Sequence, residues 1–338
     1  MRICQVMASR GDGGLEKHTL ELCSELANRG HTVTLIADPI FQERIPDGVL
    51  FLPVSMKRWR NNPLFLYALW NAIKNSRSDV IHAQANKAAA IVGKLRAFLK
   101  PPMIATVHNQ KRSVRMFGYF DRLIAVSKGV AISLPADSTS VIYNGIKLPQ
   151  PRDLSRNLAH LFDLNSRHPV LVSIGRLVPA KGFDILIDAI SGLDASLVII
   201  GEGSERQSLE EKIHNLDLGK QVKLAGFRDD ISDLIAASDG VVIASRVEGF
   251  SYVFAETMLL RMPVVATEVP VANEVLSEND LVTRDNPGAL HSRLQEKLAD
   301  MSGWRAQQSA AFEFAEQHFT LDAMVSSVEN IYSQAITG

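Results

Sequence analysis

Ser245-Arg-Val-Glu-Gly-Phe-Ser-Tyr-Val-Phe-Ala-Glu-Thr-Met-Leu-Leu-Arg-Met-Pro263 is framed by two short apolar runs, Gly240 to Ala244 before it and Val264 to Thr267 after it. Runs so short and so rich in β-branched residues read as buried strands, and the piece between them as a loop followed by a helix of about three turns. Ser251 is placed to cap that helix, and Arg261 falls in its last turn, where a cation suits the dipole. Glu248 then lies in the loop and Glu256 inside the helix. The helical neighbours of Glu256 are Tyr252, Val253, Leu259 and Leu260, none of which is a base. A carboxylate buried among them alone would cost on the order of several kcal/mol, so either its face is wet or a group from outside the segment donates to it. The hydroxyls of a sugar or ribose would serve.

The same alternation runs outward from this unit. Arg2 to Met7 is a short apolar strand, Ser9-Arg-Gly-Asp-Gly-Gly14 turns into an amphipathic helix that Gly30 stops, and Thr32 to Ala37 is the next strand. Val49 to Val54, Asp79 to His82, Met103 to His108 and Arg122 to Ser127 continue the series. Tyr143-Asn-Gly-Ile146 is a turn, and Lys147 to Asp153, with Pro149 and Pro151, reads as a linker. Strands resume at Val170 to Ile174, Leu197 to Gly201 and Val222 to Gly226; from Pro287 the pattern is helical, ending in a helix from Leu321 to about Ala335. Strands alternating with helices make parallel sheets, an α/β architecture. The expected division is 1–150, 151–318 and a terminal helix, 319–338.

A length of 338 residues fits two domains of roughly 150 each. No apolar run approaches the roughly 18 residues of a membrane span and the N-terminus has no secretory core, so the expected location is cytoplasmic. Cys4 and Cys23 are the only cysteines and read as buried thiols rather than a disulfide or metal site. The net charge of −1 hides a split: residues 1–150 hold 20 Lys and Arg against 10 Asp and Glu, leaving +10 there and −11 on the remainder. Such asymmetry speaks of partners rather than fold, and the basic half is expected to face an anionic substrate or surface.

In parallel sheets, ligands bind beyond the carboxyl ends of the strands. Gly13 and Gly14 fall there, at a helix start whose free N–H groups suit an anion. They do not follow the dinucleotide spacing, and Asp38 is the nearest acid to the end of the second strand. His82 and His108 also end strands, followed by the bases Lys111, Arg112 and Arg115. In Gly175-Arg-Leu-Val-Pro-Ala-Lys-Gly182, Arg176 and Lys181 would bring two cations onto one phosphate group. Phe227 and Arg228 follow a further strand. Met56-Lys-Arg-Trp-Arg60 leads into a helix opened by Pro63 and rich in Leu, Phe, Tyr and Trp. That helix either packs on its sheet or, with its basic lead-in, lies at a membrane interface.

Glu248 and Glu256 as Glu-x7-Glu, Gly175-Arg-x4-Lys-Gly182 and the Gly13-Gly14 turn make this chain resemble, over nearly its whole length, the family 4 retaining glycosyltransferases of bacterial cell-surface glycan synthesis. The resemblance implies the GT-B fold: two Rossmann-like domains facing each other across a cleft, the first binding acceptor, the second binding nucleotide sugar, and a C-terminal helix crossing back to the first. It implies that Arg176 and Lys181 hold the donor diphosphate, Glu256 the ribose, Glu248 and His108 the donor sugar, and Phe227 and Arg228 the base. Gly13, Gly14, Phe250, Ser251 and Tyr252 complete the donor contacts it implies. The chain departs from the family at Glu268-Val-Pro-Val-Ala-Asn273, where a glycine pair is frequent, and at Ser251, where glycine is common.

The expected activity is transfer of a hexose, with retention, from a nucleoside diphosphate sugar to a glycan or glycolipid in lipopolysaccharide or other cell-surface polysaccharide synthesis. A UDP-sugar is the favoured donor and GDP-mannose the next. No Asp-x-Asp occurs in the chain, and Arg176 with Lys181 can neutralise the departing diphosphate, so no divalent metal or other cofactor is expected. A nucleic-acid partner is not expected; an anionic membrane surface is, through Arg58, Arg60, Lys111, Arg112 and Arg115, with Trp59 as anchor. A sugar-nucleotide epimerase of the same fold and a non-catalytic sugar-nucleotide binder are the alternatives.

Overall fold

Val, Ile and Leu dominate the strand segments, and both faces of the central strands are buried, as parallel sheets covered by helices require. The computed structural model describes residues 1–57, 61–109, 114–153 and 155–338. Among them the chain forms two units, Met1–Gly145 with His318–Gly338, and Ile146–Gln317. The segment Lys147 to Asp153 belongs to the second.

The first unit pairs seven parallel strands in the order β3-β2-β1-β4-β5-β6-β7. These are β1 (Arg2–Met7), β2 (Thr32–Ala37), β3 (Val49–Pro53), β4 (Val80–Gln84), β5 (Met103–Val107), β6 (Arg122–Ala125) and β7 (Thr139–Val141). The second pairs six in the order β10-β9-β8-β11-β12-β13: β8 (Val170–Ile174), β9 (Ser196–Ile200), β10 (Val222–Gly226), β11 (Gly240–Ile243), β12 (Val264–Thr267) and β13 (Leu281–Val282). Each is a Rossmann-like sheet whose order reverses once, between β1 and β4 and between β8 and β11. β7 and β13, edge strands of three and two residues, are too short to leave a periodic signal in the sequence.

The first helix, Gly14–Asn28, ends before Gly30, which takes φ +84. The helix of the opening stretch runs Tyr252–Leu259, and the Ser251 hydroxyl accepts from the Phe254 N–H. Arg261 corrects one expectation. The helix stops two residues earlier, and Arg261 takes φ +53, pairs with Glu316 at 2.7 Å and lies over the Phe312 ring. It closes the turn instead of neutralising the dipole.

The last helix, Leu321–Thr337, returns to the first unit. Leu321, Met324, Val325, Val328, Ile331 and Tyr332 recur at helical spacing and join the core of the first helix and β1–β5. Arg29 fixes its outer face, reaching Asp322 at 2.5 Å and Glu329 at 2.6 Å, while His31 meets Glu329 at 2.7 Å. Its start rests on Gly145, where a Cβ would fall 2.4 Å from the Thr320 carbonyl and 2.8 Å from Met324 Cβ. Gly145→Ala should therefore push the helix off its seat and cost about 1–3 kcal/mol, read as a lower urea midpoint. An unchanged midpoint would show that the seat yields freely.

Candidate functional site

The loops that follow β8 and β11 leave the second sheet side by side, at the point where its strand order reverses. There the two backbones nearly touch: Gly182 takes φ +65, and a Cβ on it would lie 2.1 Å from the Ala244 carbonyl oxygen. Only glycine allows that approach. It brings Lys181 Nζ to 2.5 Å from Glu248 Oε1, and the Ser245 hydroxyl donates to the same oxygen at 2.9 Å. Glu248 is buried save for a tenth of its surface. Arg176, on the same loop as Lys181, is exposed, and its guanidinium enters no ion pair among the described residues.

Arg246 holds this arrangement. It forks onto Asp184 at 2.7 and 2.8 Å, meets Asp285 at 2.5 Å and donates to the Pro179 carbonyl at 2.6 Å, tying the loop of Glu248 to the loop of Lys181. These acids, Asp184 foremost, raise its pKa. Nothing local in the sequence marks the residue, because its partners come from 62 and 39 residues away.

Glu256 receives the outside donor that its neighbours could not supply: the Ser232 hydroxyl reaches its Oε1 at 2.5 Å. Ser232 lies on the helix Ile231–Ala236, after Asp230. Arg228 grips Asp230 through two bonds, 2.8 and 2.5 Å, and Arg156 adds a third, so the Asp230 carboxyl is held well below the usual range. A cavity of about 320 Å³ opens here between Gln150, Arg152, Asp229, Asp230, Ser232 and Asp233. Phe250 and Tyr252 meet edge to face at 5.4 Å, and Phe227 is almost wholly exposed. Where the glycine pair of the resembling family is missing, buried Val271 takes φ +73 and ψ −53. A β-branched residue in that region carries strain on the order of 1–3 kcal/mol.

In the first unit the N–H of Gly13 is taken. It donates to Glu16 Oε2 at 2.9 Å, and Ser9 donates to Oε1 of the same carboxylate. The anion at this helix start is thus the chain's own, an arrangement that the three-residue spacing from Gly13 to Glu16 could have signalled. Asp38 is also occupied, accepting from the Met56 N–H at 2.8 Å and pairing with Arg10 at 3.2 Å. His82 is fully buried between Tyr332 and Thr106. His108, at the end of β5, has its ring 5.0 Å from that of His18, nearly perpendicular. Burial pulls His82 and His108 down to about 3 and His18 well below its ordinary value, so all three are neutral. Arg58, Trp59, Arg60, Lys111 and Arg112 lie outside the described residues; Arg115 is exposed. Among the described residues no group of His, Cys, Asp and Glu could hold a metal ion, and both cysteines are free and buried.

Two family models match, Glycosyl transferases group 1 over residues 161–311 and Glycosyltransferase Family 4 over residues 12–149. The lipopolysaccharide core biosynthesis glycosyltransferase LpsE of Rhizobium meliloti is 27% identical over 76% of both chains. The O-antigen biosynthesis glycosyltransferase WclY of Escherichia coli is 23% identical over 98% of both. Among solved structures, Anabaena HepE in complex with UDP superposes with a TM-score of 0.85 at 25% identity, covering 99% of this chain and 100% of that one. WaaG, a glycosyltransferase involved in lipopolysaccharide biosynthesis, shares the fold with a TM-score of 0.71 at 16% identity, over 97% of this chain and 99% of its own.

Because Arg246 joins the two loops through charge-assisted bonds, Arg246→Met should cost about 1.5–3 kcal/mol in urea unfolding. The same substitution should weaken binding of a nucleoside diphosphate. A variant of full stability would show that the loops hold their places without it.

Proposed function

The chain belongs to the family 4 glycosyltransferases, and from that premise we propose that it transfers a hexose, with retention, from a nucleoside diphosphate sugar to a glycan or glycolipid of the cell surface. The observation that carries the reading is the meeting of Lys181, Glu248 and Ser245 at the strand-order reversal, with Arg176 on the same loop and in no ion pair among the described residues. Arg176 and Lys181 take the diphosphate as its charge develops, in place of a divalent metal. Lys181 would then be drawn from Glu248 to phosphate, leaving that carboxylate to accept from a sugar hydroxyl. Glu256, already polarised by Ser232, accepts from the ribose. Phe227, Arg228, Phe250, Ser251 and Tyr252 contact the base and sugar, and the first unit is the acceptor-binding one.

UDP as the carrier is supported by the Anabaena relative solved with UDP, and a lipopolysaccharide or O-antigen acceptor by the names of the curated relatives. Arg176→Ala should lower UDP affinity about ten- to a hundredfold in calorimetry, the value of one charged contact. Glu256→Gln should weaken UDP and UDP-glucose alike, whereas Glu248→Gln should spare UDP and slow turnover. The reverse pattern would exchange the two roles, and unchanged UDP binding in Arg176→Ala would end the donor assignment.

The acceptor side carries the charge split. Residues 57–115 hold 12 Lys and Arg with Asp79 as their single acid. The helix Pro63–Asn75 packs Phe65, Leu69 and Ile73 inward, yet leaves Leu64 and Tyr67 about two-thirds exposed at 69% and 65%. Trp70 bonds the carbonyl of Phe98, itself 71% exposed, which joins a second turn to the same surface. Apolar tips in a segment so rich in bases suit an anionic membrane face, each nearby base contributing on the order of 1 kcal/mol. No helix among the described residues is long and apolar enough to cross a membrane, so attachment would be peripheral. Sedimentation with vesicles containing phosphatidylglycerol should be strong at low salt, weak at high salt and reduced in Leu64→Ser/Phe98→Ser. Equal binding to neutral vesicles would remove the charge from the account.

A further inference from the structure

Glu256 stands on the helix Tyr252–Leu259 with no base within one turn of it, and among the described residues its carboxylate has a single hydrogen-bond partner, the Ser232 hydroxyl at 2.5 Å from Oε1. A carboxylate can only accept, so the direction of this bond is settled: Ser232 gives its one proton to Glu256. Two things follow. Oε2 and the remaining lone pair of Oε1 are left to accept from elsewhere, and the serine oxygen, its proton committed, can also only accept. The pair therefore presents acceptors and no donor. It is not sealed in, because Ser232 borders a cavity of about 320 Å³.

Ser232 is held from both sides. Asp230, two residues before it, takes two bonds from Arg228 and a third from Arg156. Asp233, the residue after it, is buried and accepts from the N–H groups of Arg152 at 2.5 Å and Asp153 at 3.3 Å. Arg156 spans the two acids, its Nη2 lying 3.5 Å from Asp233. The helix Ile231–Ala236 has six residues, too few to keep its place by its own stability. Charge-assisted bonds at its start do that instead. With the serine so anchored, its bond to Oε1 restrains the rotation of the Glu256 carboxylate.

We propose that Ser232 is a positioning residue which turns the Glu256 carboxylate to accept from both hydroxyls of a ribose, and thereby restricts the donor to ribonucleoside diphosphate sugars over their 2′-deoxy counterparts. This rests on the reading of Glu256 as the ribose contact. A vicinal diol brings two donors side by side, which a carboxylate of fixed orientation meets with two oxygens. A 2′-deoxyribose brings one, and leaves an acceptor without a donor. One hydrogen bond to a charged group is a factor of roughly ten to a hundred in affinity. A serine that only packed one helix against another would matter equally to every nucleotide. One that aims the carboxylate matters to those that carry the 2′ hydroxyl.

Calorimetry on the full chain with UDP and GDP, each beside its 2′-deoxy form, reads this difference in whichever pair binds more tightly. The unmodified protein should prefer the ribonucleotide about ten- to a hundredfold. Ser232→Ala should weaken the ribonucleotide about tenfold and leave the 2′-deoxy form within about twofold, so that the preference narrows. Ser232→Thr keeps the hydroxyl and should retain the preference. A preference that Ser232→Ala leaves intact, or an equal loss for both members of the pair, overturns the proposal. Failure of the underlying reading looks different: the unmodified protein would then bind the two members alike, and Glu256→Gln would leave ribonucleotide affinity unchanged.

Discussion

At the candidate site the backbone of Gly182 lies hard against the carbonyl of Ala244, and much of the chemistry around it follows from that contact. Two loops from neighbouring parallel strands diverge as they leave a sheet, and side chains of ordinary length then meet only if the backbones are drawn together. A single missing Cβ permits this, and Arg246 makes it hold, since its fork binds an acid on one side and a carbonyl on the other. The result is a lysine and a glutamate in contact with most of their water removed. Neither charge is stranded, because each is the other's partner until an anion or a hydroxyl competes for it.

Legibility followed the range of the forces involved. Most strands of both sheets could be read because two-sided burial leaves short apolar runs, and the helices because burial on one face imposes a 3.6-residue period; the Ser251 cap followed from its residue type, and the return of the last helix from the family resemblance. Helix ends were less secure: Arg261 looked like a last-turn cation, and only the left-handed turn shows that the helix has already stopped. Strand ends located the loops in which Arg176, Lys181, Glu248 and His108 stand. What joins those loops was hidden, because Arg246, Asp184 and Asp285 are scattered over the second unit, and Ser232 reaches Glu256 from 24 residues away. His82 illustrates the limit well. Its place at a strand end is where ligands bind, yet the partner that meets its Nδ1 is Tyr332, 250 positions later.

Two places show the chain accepting local cost. Val271 holds a left-handed backbone where glycine would sit without strain, and it is fully buried, so its side chain fills space that glycine would leave empty. At the first helix the chain's own Glu16 occupies the Gly13 N–H, a donor that a Gly-Gly turn would otherwise present. Both substitute a self-contained solution for one that waits on a ligand. Rigidity at these turns is the common effect, since a filled cavity and a closed capping bond each leave fewer conformations to sample.

The return of the last helix also governs the order in which the protein can be made. A ribosome releases the second unit, Ile146–Gln317, as an uninterrupted stretch, whereas the first unit lacks its final helix until residues after His318 have emerged. Domains tend to fold as units during synthesis, the N-terminal one first. Here that sequence is broken: the earliest strands to appear must keep Gln5 and His82 without the Tyr332 hydroxyl, and the seat at Gly145 open, while the entire second unit is translated. The half of the molecule that begins first is the half that closes last.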